Sequence, residues 1–289
     1  MKAFSGILIF LVSLILLTVY GCGSSPVTQT LPPIPTMPQT PTITQAPPAT
    51  STPIAATATA EPTPTLEAGP KLCSPIEGMP LSVLPEYISS PFEQPTRGQD
   101  NGHHGVDFAY YRYADRIGIT GVTIQSVMAG KVVANLDDKW PYGFVTIIET
   151  RLSEIPAEWL PGLEIPQSIP TIEPGISSLT LPPITATPAW DESSRSLYVL
   201  YAHMNEPPLV KPGDMVSCGQ ALGYVGNTGR SSAPHLHVEL RVGPSNLSMT
   251  SMAHYDNGAS AEEMYNYYVW RVSGLFQVFD TMNLLSQQP

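Results

Sequence analysis

Proline decides where this chain can pack. It supplies 32 of 289 residues, each of which fixes φ and removes a backbone donor, and it crowds into two stretches. Residues 23–70 are dominated by Pro and Thr, hold no Lys or Arg, and offer almost no large apolar side chain. Such a segment cannot bury enough surface to offset the entropy of ordering it, and repeated proline favours an extended chain of about 3.1 Å per residue. Residues 22–70 are therefore expected to form a disordered tether. The second stretch, 152–195, carries eight prolines between two strand-like runs. Its Trp159, Leu160, Leu163, Ile165, Ile169 and Trp190 are too apolar for a linker, so it is expected to be a partly packed surface insert. Loops of that length inside a domain are uncommon and often functional.

Ahead of the tether, Lys2 precedes an apolar run from Ala3 to Tyr20, closed by Gly21-Cys22-Gly23. A positive start, an apolar core and a small residue before the break describe a secretory signal over residues 1–21. Val19-Tyr20-Gly21-Cys22 resembles a lipoprotein cleavage box, which implies lipidation of Cys22 and anchoring to a bacterial membrane. The alternative is an uncleaved anchor helix, since about 18 mostly apolar residues nearly span a bilayer. Both readings place the rest of the chain outside the cytoplasm, where disulfides persist. With Cys22 lipidated, Cys73 and Cys218 remain as a candidate disulfide pair. Neither has a C-x-x-C neighbour, which argues against a cysteine zinc site. A net charge of -11, from 13 basic against 24 acidic residues, argues against nucleic acid as a partner, for which a basic stripe is expected.

From about residue 71 the composition turns globular. Val122–Val127, Lys131–Val133, Gly143–Glu149 and Ser196–Tyr201 are short and rich in β-branched and aromatic residues, most of them bounded by turn formers. Glycines at 213, 219, 223, 226 and 229 read as tight turns between very short strands. The expected fold is mainly β: a small antiparallel sheet domain over 71–250, interrupted by the insert at about 152–195. Residues 251–289 form a C-terminal extension expected to pack on that domain. Its aromatic stretch from about Ala261 fits a helix or two strands, and the sequence does not separate these.

Five of the six histidines fall into three short motifs: His103-His104-Gly105-Val106-Asp107, Leu200-Tyr201-Ala202-His203 and Pro234-His235-Leu236-His237. Residues i and i+2 of a strand share a face, so His235 and His237 are expected side by side. His103 and Asp107 can share a face of an extended segment, and Gly105 between them argues against a helix. Two imidazoles and a carboxylate suit a zinc ion with one open position for water, the arrangement of a catalytic rather than a structural site.

These three motifs, in this order, resemble those of the lysostaphin-type (LytM-type) zinc endopeptidases of bacterial cell walls. The H-x-x-x-D motif is His103 to Asp107, the mid-domain histidine is His203, and the closing H-x-H is His235 to His237. Val210–Gly223 is also similar to that family's V-x-x-G-D-x-V-x-x-G-Q-x-L-G run. The resemblance covers roughly residues 85–242. It implies one Zn2+ per chain on His103, Asp107 and His237, with His203 and His235 as the two catalytic histidines beside the metal water. His104 is given no role, beyond the alternative that it replaces His103 as ligand. Tyr201 would share the face of His203 in a regular strand, though core packing is its expected task. The implied substrate is a peptide bond of peptidoglycan. The alternative is a non-catalytic wall-binding module or an activator of other wall hydrolases. The cleaved bond and the oligomeric state are not legible in the sequence.

Overall fold

The structure, a computed structural model, describes residues 70–161, 163, 165, 179 and 188–287, all within the unit 64–289. The signal, the tether and Cys22 lie outside the described residues. The elements in chain order are β1 Ile88–Ser90, β2 Gly105–Phe108, β3 Arg112–Tyr113, β4 Arg116–Ile117, β5 Thr123–Gln125, β6 Gly130–Lys139, β7 Gly143–Arg151, β8 Ala189–Met204, β9 Met215–Val216, β10 Ala221–Tyr224, β11 Leu236–Ser248, α1 Ala261–Arg271, β12 Gln277–Phe279 and α2 Met282–Leu285. Two single 3-10 turns, Leu152–Glu154 and Ala157–Trp159, follow β7. The main sheet runs in the order β1-β2-β11-β8-β7-β6-β9, with β12 also paired to β11. Every strand pair is antiparallel. The expected mainly antiparallel β-fold is thus observed. Among the described residues no helix is long and apolar enough to cross a membrane.

The sheet is covered on both faces, which explains why its central strands read as continuous apolar runs. In β8, Leu197, Val199 and Tyr201 enter one core with Ile76, Leu84, Ile124 and Trp159, whereas Tyr198, Leu200 and Ala202 enter a second core under α1 with Tyr267 and Trp270. Burying a residue such as Val199 or Leu200 contributes about 1.5–3 kcal/mol, so the register of β8 against β7 and β11 is strongly specified.

The insert differs from its expected bounds. Strand β8 begins at Ala189 rather than near Ser196. Its first residues pair only with the end of β11, Ala189 with Ser248 and Arg195 with Pro244. In this two-stranded stretch Leu247 is buried in the second core and Trp190 packs against it, while Asp191–Arg195 are polar. Among the described insert residues, Ile155, Trp159 and Leu163 are buried in the first core. The aromatic tail resolves into helix α1, then the short strand β12 and helix α2. Ser260 Oγ accepts from the Glu263 N–H at 3.1 Å, and Glu263 Oε2 accepts from the Ser260 N–H at 2.9 Å, a reciprocal cap that starts α1.

Cys73 and Cys218 form a disulfide with Cα atoms 5.6 Å apart, closing a separation of 145 residues. It ties the start of the domain to the turn between β9 and β10. Because a cross-link over so long a loop restricts the unfolded chain strongly, replacing both cysteines by serine is expected to lower unfolding free energy by about 2–5 kcal/mol. Urea unfolding of the oxidised parent and the double variant checks this; coincident midpoints would contradict it.

Candidate metal centre

Strands β2 and β11 carry the core of the site. Their register pairs Asp107 with His237, Val106 with Val238 and Gly105 with Glu239. Val106, Phe108, Leu236, Val238 and Leu240 all enter the first core, so the pleat turns Asp107, His237, Glu239 and Arg241 to the opposite face. Gly105 is required by this packing: a Cβ there would lie 2.8 Å from His237 Cε1 and 2.5 Å from the Val238 carbonyl oxygen. His103 arrives from the segment before β2, held by reciprocal backbone bonds with Glu93.

Three atoms of ligand type converge. His103 Nε2 lies 3.1 Å from Asp107 Oδ1, His237 Nδ1 lies 2.7 Å from the same oxygen, and the two ring nitrogens are 3.2 Å apart. Each ring has an outward acceptor for one of its N–H groups. His103 Nδ1 donates to the Pro91 carbonyl at 2.7 Å, and His237 Nε2 donates to Glu239 Oε1 at 3.3 Å. In the tautomer those outward bonds select, two lone pairs and a carboxylate oxygen face one another, an arrangement that a cation satisfies; without a cation, protons bridge the rings to Asp107. The outward contacts, a backbone carbonyl and a carboxylate, are those that orient histidine on a metal. The donor set of two imidazoles and one carboxylate fits zinc. Burial raises the Asp107 pKa, but hydrogen bonds from His103 and His237 outweigh it and hold the carboxyl well below the usual range. Burial disfavours the His237 cation, yet its bonds to Asp107 and Glu239 win and push it up to about 9. A metal on His237 Nδ1 thus competes with a proton.

His203 and His235 stand beside this group, their ring centroids 4.7 Å apart and that of His203 5.7 Å from His237. His203 Nδ1 donates to the Thr228 carbonyl at 2.8 Å, and His235 Nδ1 to the Ala233 carbonyl at 2.8 Å. Each neutral ring therefore carries its lone pair on Nε2, and His235 Nε2 lies 3.6 Å from Asp107 Oδ1. Burial, then the neighbouring His237 and His235 charges, lower the His203 pKa to about 3. His203 occupies a left-handed backbone position, φ 61°, where the pairing of β7 with β8 slips between Tyr201 and Met204. Such a bulge re-aims a side chain. It breaks the alternation that would have put Tyr201 and His203 on one face. Tyr201 instead enters the first core, where its hydroxyl accepts the Val127 N–H at 2.9 Å. The five residues line a groove of about 330 Å³, whose further walls include Tyr142, Arg230, Tyr255, Tyr267 and Arg271. A larger cavity, about 520 Å³, is lined by Phe92, Arg97, Arg241, Arg271, Phe276 and Phe279 and touches none of the five.

His104 turns away from the group. It is fully buried, its Nε2 donates to the Asn101 carbonyl at 3.1 Å, and its Nδ1 accepts from Arg241 at 2.7 Å. Both nitrogens are spoken for, so the alternative of His104 as ligand finds no geometric support. Burial, then Arg241 and Arg271, lower its pKa from 6.5 to about 3. Between these values the unfolded chain binds a proton that the folded chain refuses. Stability is therefore lost as pH falls below about 6.5, by about 1.4 kcal/mol per pH unit for this one group. His104→Gln, which can still donate and accept, is expected to flatten the acid limb of a stability–pH curve by that slope; an unchanged limb would contradict it. The sixth histidine, His254, stacks on Tyr267 with ring centroids 5.3 Å apart.

Residues that sequence reasoning passed over lie behind the site. Glu239 is fully buried. It accepts from His237, from Tyr142 Oη at 2.6 Å, from Arg241 Nε at 2.8 Å and from Trp270 Nε1 at 3.0 Å. Burial raises its pKa, but Arg241 and the His237 hydrogen bond outweigh this and keep it ionised. The signal for Glu239 and Arg241 was present: with His237 they follow at i+2 and i+4 on one face of an otherwise apolar strand.

Residues 191–249 match the sequence model of Peptidase family M23. Over 42 residues the chain is 55% identical to the Peptidoglycan DD-endopeptidase ShyA of Vibrio cholerae, a match covering 14% of this chain and 10% of that protein. Among solved structures, a zinc containing peptidase from Vibrio cholerae is similar at 24% identity over 59% of this chain and 36% of its own, with a TM-score of 0.33. The catalytic domain of lysostaphin from Staphylococcus simulans is similar at 22% identity over 56% of this chain and 85% of its own, with a TM-score of 0.32.

Proposed function

Because residues 191–249 match the sequence model of Peptidase family M23, we propose that the chain is a zinc-dependent endopeptidase hydrolysing peptide bonds in bacterial peptidoglycan. The observation behind this reading is the convergence of His103 Nε2, Asp107 Oδ1 and His237 Nδ1, with the other nitrogen of each ring facing an outward acceptor. The substrate class is taken from the locally similar protein, which is named a peptidoglycan DD-endopeptidase. His103, Asp107 and His237 would hold one zinc. When bound, the ion lowers the pKa of a coordinated water toward about 7 and polarises the scissile carbonyl.

The chain's own residues supply the rest. The backbone carbonyls of Thr228 and Ala233 fix the tautomers of His203 and His235, so each offers an Nε2 lone pair to the groove. As water attacks the carbonyl carbon, one Nε2 takes its proton. That proton then passes to the amide nitrogen as the C–N bond breaks, and the water's second proton leaves the new carboxyl group for the freed amine, releasing a carboxylate and an ammonium. The other ring takes a proton from solvent on Nε2, donates it as a hydrogen bond to the developing oxyanion, and gives it back to solvent when the intermediate collapses.

Purified peptidoglycan incubated with the protein should release peptide fragments with new amino termini by mass analysis. A chelator should stop the release and added zinc restore it. Zinc-loaded protein that binds the wall but generates no new amino termini would sink the hydrolase reading and leave the wall-binding one. The same reading keeps the enzyme outside the cytoplasm, anchored through lipid on Cys22 with residues 23–70 as tether. Lipid labelling that persists in Cys22→Ala would contradict the anchor.

A further inference from the structure

We infer that Arg271, in the last turn of α1, is a positioning residue of the metal centre, one guanidinium bracing both segments that bring the candidate ligands. The inference rests on the zinc reading above. Arg271 Nε donates to Asp100 Oδ1 at 2.6 Å, three residues before His103. Its Nη1 donates to Tyr142 Oη at 3.0 Å and reaches Glu239 Oε1 at 3.4 Å, two residues beyond His237. Tyr142 passes its own proton to that Glu239 oxygen at 2.6 Å, and Glu239 receives the Nε2–H of His237 at 3.3 Å. A continuous chain of hydrogen bonds thus runs from the entry to His103, through the guanidinium, to the ring of His237.

The C-terminal extension fixes the guanidinium and the carboxylate it grips. Tyr255 and Tyr267 donate to Asp100 Oδ2 at 2.7 and 2.8 Å. The guanidinium lies over the rings of Tyr142 and Tyr267, 5.8 and 5.5 Å from their centroids, and its side chain is only 13% exposed. A planar fork that bonds through Nε and Nη1 in different directions cannot be copied by a lysine ammonium, a single point of charge. Loss of the fork loosens residues 100–103 on one side of the site and the Tyr142–Glu239 contact on the other. A direct contact on a ligand, such as that of Glu239 on His237, is worth roughly 10–100-fold in metal affinity, and Arg271 acts one step further back, through Glu239 and Asp100.

The test compares the full-length parent with Arg271→Lys, Arg271→Met and Lys139→Met. Lys139 pairs with Glu263 at 3.0 Å on the same helix, outside the groove, so its variant reports general loosening of α1. Zinc affinity is measured by chelator competition, apo-protein melting in parallel, and kcat and KM on wall fragments. Arg271→Lys is expected to weaken zinc binding roughly 10-fold, the low end of what direct partners of ligands contribute, and to lower kcat with little change in KM. Lys139→Met should keep parental affinity and rate. If Arg271→Met fails to fold, Arg271→Lys, which keeps the charge and loses the fork, decides. Parental zinc affinity in Arg271→Lys, or an equal loss in Lys139→Met, overturns the inference. A parent that binds no zinc overturns the metal reading itself.

Discussion

His237→Ala is expected to lose zinc and hydrolysis together. The ring provides one of three protein atoms in the candidate metal group, and a site left with two protein ligands holds zinc far more weakly than one with three. The fold should survive. The buried Glu239 carboxylate that faces His237 keeps Tyr142, Arg241 and Trp270 as donors, so no buried charge is stranded. Elemental analysis and product release, measured on the same preparation, check both halves. Retention of parental zinc content by His237→Ala would remove this ring from the metal group. Retention of zinc in the folded variant together with parental activity would remove the mechanism built on it.

Much of this arrangement was legible because strand periodicity is strict. The run Ser196–Tyr201 reads as strand, and its continuous apolar character follows from a sheet covered on both faces. The alternation Leu236, Val238, Leu240 against His237, Glu239, Arg241 places polar groups together on one side of β11 without any knowledge of the partner strand. What the sequence could not show is where the period breaks. The bulge at His203 turns that ring away from the face of Tyr201, and a bulge is set by pairing with β7, not by the residues of β8 alone. Long-range partners were hidden for the same reason. Arg271 lies 171 positions from Asp100, and nothing local marks either residue. The tail was undecided between helix and strands although Ser260 and Glu263 carry the capping signal. Its aromatic residues suit both states, and α1 draws its stability from burying Tyr267 and Trp270 under the sheet. The polar start of β8 was read as insert because a two-stranded arm shows no apolar alternation.

His203→Ala and His235→Ala are expected to separate rate from metal. Neither ring belongs to the candidate metal group, so each variant should keep the parental zinc content. Each ring has its Nδ1–H spent on a backbone carbonyl, Thr228 for His203 and Ala233 for His235. That leaves Nε2 as the working atom in both, fixed in direction before substrate arrives. Loss of a positioned proton acceptor or donor costs roughly 10²–10⁴-fold in rate, whereas a ring serving only as packing would cost far less. The environments also differ. His203 is buried and sits at a left-handed backbone position, which alanine, keeping its Cβ, tolerates no better than histidine, so its alanine variant keeps the strain while opening a cavity; His203→Asn, a residue suited to that conformation, controls for this. Zinc content and turnover measured on the three variants side by side discriminate the roles. Rates within a few-fold of the parent for His203→Ala would deny that ring a part in proton transfer. Loss of zinc from His235→Ala would place it among the metal's supports instead.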